Sequence, residues 1–309
     1  MGGCSSYDSS GSYDWGRGAN VTRRSAQDYA KQDRREYTGF SSYGLGAPKG
    51  KEIRAESPLA VVLAVDVTGS MKEWPGLIFQ KIPTLYSEAN VALQGIKLGE
   101  LEKGKKVDGV LEMAVIAIGD APAGDRVPLQ VGDFAKGSDL VNIVNRIYPE
   151  GGGRGNAKES YDLALYYVDR HCKTPNVPKS AKPILIIAGD EGFYEEVDPG
   201  CVNALIGDDI KQPRKTEDVI ERIKKKFDTY MLRPEPSNYN YAPIHKQWQD
   251  ALGSQRVLRM DDPARLVDCI IQICAYAAGN FDLGKDLLER RQTPKQVKEV
   301  LDALSPLTK

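Results

Sequence analysis

The sequence lacks a cysteine framework, a long apolar run and an excess of either charge. Its five cysteines are odd in number and form no CxxC pair, which argues against a disulfide scaffold or a zinc ribbon. No segment approaches the roughly 18 consecutive apolar residues of a membrane-spanning helix, and no secretory signal precedes Cys4. We therefore expect a cytoplasmic protein with no transmembrane segment. The formal net charge of −1 predicts no general attraction to nucleic acid.

The motifs of common enzymes are also missing. The chain has two histidines, His171 and His245, and neither lies near the motif loops described below. No GxxxxGK[ST] phosphate loop and no GxSxG nucleophile turn occurs. We expect a protein that is not an enzyme, with a metal-dependent hydrolase that activates a bound water as the alternative.

The first 57 residues differ in composition from the rest of the chain. They are rich in Ser, Tyr, Gly, Arg and Asp and contain almost no aliphatic side chains. Such a segment buries too little apolar surface to offset the entropy of ordering, so a disordered or extended tail is predicted. Residues 1–6 match the pattern for myristoylation of Gly2, with Cys4 available for a second acyl chain, or match it by chance.

From residue 58 onward, strand-like and helix-like segments alternate. This alternation predicts an α/β domain over residues 58–280, with a doubly wound, mostly parallel, six-stranded sheet and helices on both faces. Residues 281–309 indicate an appendage of two short helices divided at Thr293 and Pro294. The predicted strands are residues 58–65, 112–119, 127–131, 183–188, 227–232 and 256–260. The predicted helices include residues 72–93, which Pro75 and Pro83 should break, residues 156–171, and one that begins at Thr216.

One motif carries most of the functional information. Asp66, Thr68 and Ser70 follow the apolar run of residues 61–65, which predicts a buried parallel strand. A carboxylate and two hydroxyls at alternate positions suit a small hard cation such as Mg²⁺. Ligands of open α/β sheets bind at the carboxyl ends of the strands, where this motif stands. On its own, the motif is more typical of a helix cap, so its interpretation depends on the loops that follow.

Two further loops favour a cation site. A glycine-rich loop over residues 151–155 precedes a predicted helix, and another predicted strand is followed by Asp190. Together with the Asp66 motif and the segment 114–132, these loops resemble a von Willebrand factor type A domain of the intracellular type, with a metal-ion-dependent adhesion site. The resemblance covers roughly residues 58–279.

The resemblance implies a cation held by Asp66, Thr68, Ser70, Asn156 and Asp190. Thr68 stands where the family usually has serine, and it keeps the hydroxyl. The family's loop threonine is missing from the segment GGGRGNAKES. Asn156 is the candidate for its place, and Ser160 offers a hydroxyl one turn further along. Asp120, which ends the second predicted strand, is a candidate outer-shell acid.

The function that the resemblance implies is ligand capture at the cation. Mg²⁺, or Mn²⁺ or Ca²⁺ in its place, would keep one position open for the Asp or Glu carboxylate of a protein partner. A single carboxylate from Asp66 leaves the ion net positive, which favours an anionic ligand. Intracellular members of the family often work beside AAA+ ATPases or in multi-protein assemblies, so a partner of that kind is implied. The altered glycine loop supports the alternative of a scaffold with a vestigial metal site, which binds through its tail or its C-terminal helices.

Overall fold

A six-stranded, mostly parallel sheet forms the centre of the computed structural model, which describes residues 45–308 except 72, 95, 98–105, 108, 152–155, 179–180 and 235–240. Its strands are β1 (Ala60–Asp66), β2 (Glu112–Ile118), β3 (Leu129–Val131), β4 (Ile184–Ala188), β5 (Asp228–Arg233) and β6 (Val257–Arg259). Their order across the sheet is β6-β5-β4-β1-β2-β3. All neighbours are parallel except β2 and β3, which are antiparallel. The fold is therefore mixed α/β, as the alternation of segments predicts.

Helices connect the strands. The longer ones are α1 (Trp74–Gln80), α2 (Ile82–Ala92), α3 (Ser138–Val144), α4 (Tyr161–His171), α5 (Thr216–Lys226), α6 (Tyr241–Leu252), α7 (Leu266–Ala277), α8 (Phe281–Glu289) and α9 (Pro294–Ala303). Shorter helical turns are Gly69–Met71, Pro199–Cys201, Val202–Ile206, Ser254–Arg256, Pro263–Arg265 and Ser305–Thr308. Within the described ranges, no helix combines the length and the apolar character needed to cross a membrane.

Two-stranded pairs lie outside the central sheet. They join Ile53–Arg54 to Cys172–Lys173, Lys158–Glu159 to Gly192–Phe193, Glu196–Val197 to Arg214–Lys215, and Ile96–Lys97 to Lys106–Val107. The first two pairs are parallel and the last two are antiparallel.

An apolar core covers each face of the sheet. Every side chain of β1 is buried, and successive side chains of a strand point to opposite faces. Val61, Leu63 and Val65 join one core, which contains side chains of α1, α2, α3, α7, α8 and α9. Val62 and Ala64 join the other, which contains side chains of α4, α5 and α6. The continuous apolar run of β1 is thus explained by burial on both sides.

Two prolines divide the helical segment after β1, as the sequence predicts. Pro75 and Pro83 each occupy the first turn of a helix, where proline is tolerated because its missing N–H has no intrahelical partner. The break between α1 and α2 falls at Lys81.

The helix predicted to begin at Asn156 begins five residues later, at Tyr161. Ala157 has a positive φ of 60°, which ends any helical path at that point. Lys158 and Glu159 then pair with the backbone of Gly192–Phe193 as a short parallel bridge. The predicted boundary was wrong because this pairing takes the residues that periodicity had assigned to the first helical turn.

A buried carboxylate joins α4 to α5. Asp169 accepts hydrogen bonds from Arg222 Nε at 2.8 Å and from Lys226 Nζ at 2.7 Å. Burial raises the pKa of Asp169, but the hydrogen bonds from Lys226 and Arg222 outweigh it and hold the pKa below its ordinary 3.8. The pair of helices is therefore fixed by charge as well as by apolar contact.

The C-terminal helices pack on the domain. Leu288, Val300 and Leu304 are buried in the same core as α2 and α7. Asn280 Nδ2 donates to the carbonyl oxygens of Ala92 and Gln94, both at 2.8 Å. Helix α9 begins with a capping box in which the Thr293 and Gln296 side chains satisfy each other's backbone. The predicted C-terminal appendage therefore packs on the domain.

The predicted tail falls mostly outside the described residues, and so do Gly2 and Cys4. Its last part, residues 45–57, contacts the domain, turns at residues 49–50 and pairs over Ile53–Arg54 with Cys172–Lys173. Ile53 and Ala55 are buried there, and Tyr167 OH donates to the carbonyl of Lys51 at 3.1 Å. These few apolar side chains anchor a segment whose composition predicted little burial.

Candidate metal site

Two strands bring the predicted acids together. Asp66 is the last residue of β1, and Asp190 follows β4 by two residues. The two strands are neighbours, with Val65 opposite Ala188 in the register. Since carboxyl ends of parallel strands meet at one edge of a sheet, the two acids lie at the same edge.

A continuous row of polar contacts joins four of the five predicted ligands. Thr68 donates to Asp66 Oδ1 twice, from its backbone N–H at 2.8 Å and from its hydroxyl at 2.6 Å. The hydroxyl oxygens of Thr68 and Ser70 lie 3.3 Å apart. Ser70 Oγ then donates to Asp190 Oδ1 at 3.0 Å. Asp66, Thr68, Ser70 and Asp190 therefore form one group, which we call the Asp66 row.

The local backbone explains this arrangement. The bond from the Thr68 N–H to the Asp66 carboxylate closes an Asx turn, which short acidic side chains favour. Val67 N–H still donates to Ile118 O at 2.8 Å, so the turn starts directly at the end of the ladder with β2. A helical turn over Gly69–Met71 then brings Ser70 back over Thr68. The turn that a helix cap would form is thus present, and it gathers the oxygens in one place.

The Asp66 row is buried at one end and open at the other. Asp66 is 0% exposed and Thr68 is buried, whereas Ser70 is exposed and Asp190 is half-buried. Burial, and then the neighbouring charge of Asp190, raise the pKa of Asp66 to about 7. Hydrogen bonds from Thr68 and Tyr161 oppose this rise because they stabilise the carboxylate. A divalent cation would relieve the same electrostatic cost that raises the pKa.

Tyr161 holds the second oxygen of Asp66. Its hydroxyl donates to Asp66 Oδ2 at 2.5 Å, and its ring packs edge-on against Trp248 with the ring centroids 5.3 Å apart. Gly189 allows this approach, since a Cβ there would lie 1.9 Å from the Tyr161 hydroxyl oxygen. Tyr161 is the first residue of α4, so the helix itself fixes the Asp66 carboxylate.

The structure does not bring Asn156 into the Asp66 row. Asn156 Nδ2 donates to Tyr194 OH at 2.9 Å, and that hydroxyl donates to Asp120 Oδ1 at 2.9 Å. Ser160, the alternative, is buried, and its hydroxyl accepts from the Ala121 N–H at 2.9 Å. Both residues named for the place of the missing threonine are therefore engaged elsewhere. Most of the glycine loop lies outside the described residues.

Glu159 is a further acid of this region, which no motif in the sequence indicates. It is 4% exposed, and its Oε2 atom has no hydrogen-bond partner among the described residues. Burial, followed by the charges of Asp66 and Asp120, raises the pKa of Glu159 to about 10. The predicted helix boundary at residue 156 places Glu159 in the first turn of a helix, whereas the observed helix begins two residues after it, at Tyr161. The sequence pattern therefore did not indicate Glu159 as a loop residue.

The donor chemistry of this region fits a hard divalent cation. Carboxylates and hydroxyls are the ligands that Mg²⁺, Mn²⁺ and Ca²⁺ prefer. Across the described ranges, no three His, Cys, Asp or Glu side chains stand at the spacing of a complete metal site. What meets at the sheet edge is two carboxylates joined by two hydroxyls, with the orphaned Glu159 oxygen as a further buried acceptor.

Comparisons with known proteins identify no family. No family model matches the chain, and no curated protein matches it. The pilus adhesin SpaC from Lactobacillus rhamnosus GG, in its open conformation, is similar with a TM-score of 0.47 and 14% sequence identity. That match covers 77% of this chain and 31% of the adhesin. Proximal thread matrix protein 1 from the mussel byssus is similar with a TM-score of 0.45 and 9% identity, over 74% of this chain and 49% of that protein.

Proposed function

We propose that this chain is a non-enzymatic, divalent-cation-dependent protein-binding module with a doubly wound fold of the von Willebrand factor type A kind. The observation that carries the proposal is the Asp66 row, which is buried at Asp66 and open at Ser70. An ion seated there would have its protein ligands on one side and solvent on the other. That is the geometry required for binding a partner's side chain.

The path of the chain supports a ligand site at this edge. After β1 the chain enters α1 and α2, which join one core, and after β4 it reaches α5, which joins the other core. The two loops therefore leave toward opposite faces of the sheet. In open α/β sheets such a divergence leaves a crevice at the carboxyl edge, where ligands bind.

Each residue of the Asp66 row has a definite part in the proposed mechanism. Asp66 supplies the anchoring charge, and Tyr161 and the Thr68 N–H hold its carboxylate in place. The hydroxyls of Thr68 and Ser70 supply neutral oxygens, and Asp190 orients Ser70 from the adjacent loop. When bound, the cation supplies a Lewis-acidic position for the carboxylate of a partner's Asp or Glu. A cytoplasmic AAA+ ATPase or multi-protein assembly remains the predicted partner.

The Asp66 contacts also favour a second candidate, a scaffold with a vestigial cation site. Both oxygens of Asp66 are engaged by protein donors, so the carboxylate is satisfied by the fold itself. In that case a protein partner would bind to the tail or to the C-terminal helices. The described contacts of the histidines give hydrolysis no comparable support. His171 Nε2 lies 2.9 Å from Asp208 Oδ2, and His245 stacks on Tyr241.

Calorimetric titration of Mn²⁺ into the full chain distinguishes these candidates. We expect Ser70→Ala to weaken Mn²⁺ binding, because it removes an exposed ligand without disturbing the core. Ser254→Ala is the matched control, since Ser254 is also exposed and lies on the short turn before β6. Equal Mn²⁺ affinity in the wild type and Ser70→Ala would contradict the proposed ligand set, and no Mn²⁺ binding by the wild type would favour the scaffold.

Capture of a partner is tested separately, with a pull-down in Mn²⁺ and in EDTA. The full chain should retain its partner only in Mn²⁺, and Asp66→Asn should fail to retain it in either buffer. Retention that is equal in the two buffers would refute cation-dependent capture.

A further inference from the structure

We propose that Glu159 is the loop ligand of the cation site, in the place that the missing threonine leaves, and that its charge limits how strongly the loaded site binds an anionic partner. This inference rests on the proposed function and names a residue and a regulatory property that the proposed function does not contain. It is carried by the position of Glu159, its burial and its electrostatic neighbours.

The backbone of Glu159 is held beside the Asp66 row. Lys158 and Glu159 pair with Gly192 and Phe193, the segment that follows Asp190. On its other side, the Ser160 N–H donates to Gly119 O at 3.0 Å, beyond the end of β2. Glu159 thus stands between the loops that follow β2 and β4, two residues before the Tyr161 side chain that binds Asp66. Asp66 is the charge with the largest effect on Glu159, so the two acids lie near each other at this edge of the sheet.

The carboxylate of Glu159 is buried without compensation from the protein. Its Oε2 atom makes no hydrogen bond to any described residue. The adjacent Lys158 does not neutralise it, because Lys158 Nζ lies 2.6 and 2.7 Å from the two carboxylate oxygens of Glu195. An unpartnered buried carboxyl group is strongly unfavourable in its charged form, and a bound cation would supply the partner that the described residues do not.

The charges around Glu159 identify that partner as a cation. Asp66 is the charge with the largest effect on it, followed by Asp120, Asp125 and Glu191, and all four are acids. Several carboxylates in one buried region attract a hard divalent ion and repel an anion. An apolar or anionic ligand would leave the buried charges uncompensated.

Glu159 would turn toward Asp66 to hold a cation, because the acids of the described residues do not stand at the spacing of a complete site. Its side chain has three rotatable torsions, whereas Asp66 is fixed by Tyr161 and Thr68. Glu159 is therefore the side chain that would move.

Glu159 as a ligand changes the charge of the loaded site. With Asp66 and Asp190 as the acids of the row, the charge of a dication is cancelled. With Glu159 as a third carboxylate, the loaded site carries one net negative charge, which disfavours a partner's carboxylate. Removing the charge of Glu159 should therefore have opposite effects on two affinities: the site binds the cation less tightly, and the loaded site binds an anion more tightly.

Two titrations of the full chain test this pair of effects, with Glu159→Gln as the variant and Glu196→Gln as the matched control. Glu196 is exposed and belongs to the strand segment that follows Tyr194 and Glu195. In Mn²⁺ calorimetry we expect Glu159→Gln to lose about 10- to 100-fold in affinity, and Glu196→Gln to match the wild type. In acetate titrations at saturating Mn²⁺, Glu159→Gln should bind acetate about tenfold more tightly than the wild type.

The outcomes separate this inference from the proposed function. If the wild type binds Mn²⁺ and Glu159→Gln binds it equally well, Glu159 is not a ligand, while the proposed cation site stands. If the wild type binds no Mn²⁺, the proposed function fails and the inference fails with it. If Glu159→Gln loses Mn²⁺ affinity without any gain for acetate, the regulatory part is wrong.

A folding control completes the test. Without metal, Glu159→Gln should melt close to the wild-type temperature, because burial keeps Glu159 protonated and the variant replaces one neutral buried side chain with another of similar shape. A second variant, Glu159→Thr, keeps an oxygen but no charge, and it should show the same two opposite effects. A large fall in melting temperature for both variants would show that Glu159 has a structural role and would overturn the inference.

Discussion

The hydrogen bond from Tyr161 to Asp66 gives the most detailed prediction about the site. Tyr161→Phe removes one hydroxyl and leaves the ring in its packing against Trp248. The lost bond is 2.5 Å long, fully buried and made to a carboxylate. Hydrogen bonds to charged groups contribute about 1.5–3 kcal/mol, so we expect Tyr161→Phe to lower the free energy of unfolding by that amount.

Tyr86→Phe is the matched control for this substitution. Tyr86 is also buried, and its hydroxyl donates at 2.8 Å to the backbone carbonyl of Leu111, a neutral acceptor. Such a bond contributes about 0.5–1.5 kcal/mol. The difference between the two variants therefore isolates the charge of Asp66 from the general effect of losing a tyrosine hydroxyl.

Urea unfolding at pH 8 in EDTA measures both variants. This pH lies above the pKa of about 7 for Asp66, so the carboxylate is ionised there. Tyr161→Phe should also weaken Mn²⁺ binding about 10-fold or more, because partners that orient a ligand contribute that much to metal affinity. The reasoning is refuted if Tyr161→Phe costs no more stability than Tyr86→Phe and binds Mn²⁺ as the wild type does.

Two further substitutions and one deletion test the packing of the site and of the fold. Gly189→Ala should cost about 1–3 kcal/mol in urea unfolding, because its Cβ would overlap the Tyr161 hydroxyl; an unchanged midpoint would show that the ring can move. Asp169→Asn should lower the free energy of unfolding by about 1–3 kcal/mol at pH 7. Breaking a fully buried ion pair would cost more, but the two basic partners of Asp169 on α5 are partly exposed to solvent. Because the pKa of Asp169 is lowered in the fold, that stability is present above pH 4 and lost as the pH falls below it, so equal losses at pH 7 and pH 3 would contradict the assignment. Deleting residues 280–309 should cost roughly 5 kcal/mol or more, because it removes the buried leucines and valines of α8 and α9 and exposes the core surface of α2 and α7 that they cover. A deletion variant that unfolds like the full chain would show that the appendage is dispensable.

Much of the fold follows from short-range patterns in the sequence. The apolar run before Asp66 predicts β1 because it is buried on both faces, and the alternation of segments predicts a parallel sheet. Pro75 and Pro83 predict the break between α1 and α2 because proline cannot continue a helix from within. Packing of the C-terminal helices could not be predicted, since their apolar faces would fit the domain or a partner equally well.

The site was predictable at the ends of strands and less so in its loops. Asp66 and Asp190 could be placed together because parallel strands set the edge at which they meet. Asn156 is a candidate for the place of the missing threonine because its side chain offers a carbonyl oxygen, and the predicted helix begins there. The Lys158–Glu159 bridge moves that start to Tyr161, and pairing between distant backbone segments leaves no periodic signal in the sequence. Glu159 was therefore overlooked, although it is the buried acid of the loop.

Cation-linked folding stability tests the central claim most directly. The full chain and its Asp66→Asn variant are unfolded in urea, each with EDTA and with increasing Mg²⁺, Mn²⁺ or Ca²⁺. A cation that binds the folded state alone adds about 2.7 kcal/mol at 100 times its dissociation constant. We predict this gain for the wild type with at least one of the three ions, and no gain for Asp66→Asn. A wild-type unfolding curve that none of the three cations shifts, or an equal shift in Asp66→Asn, would contradict the account.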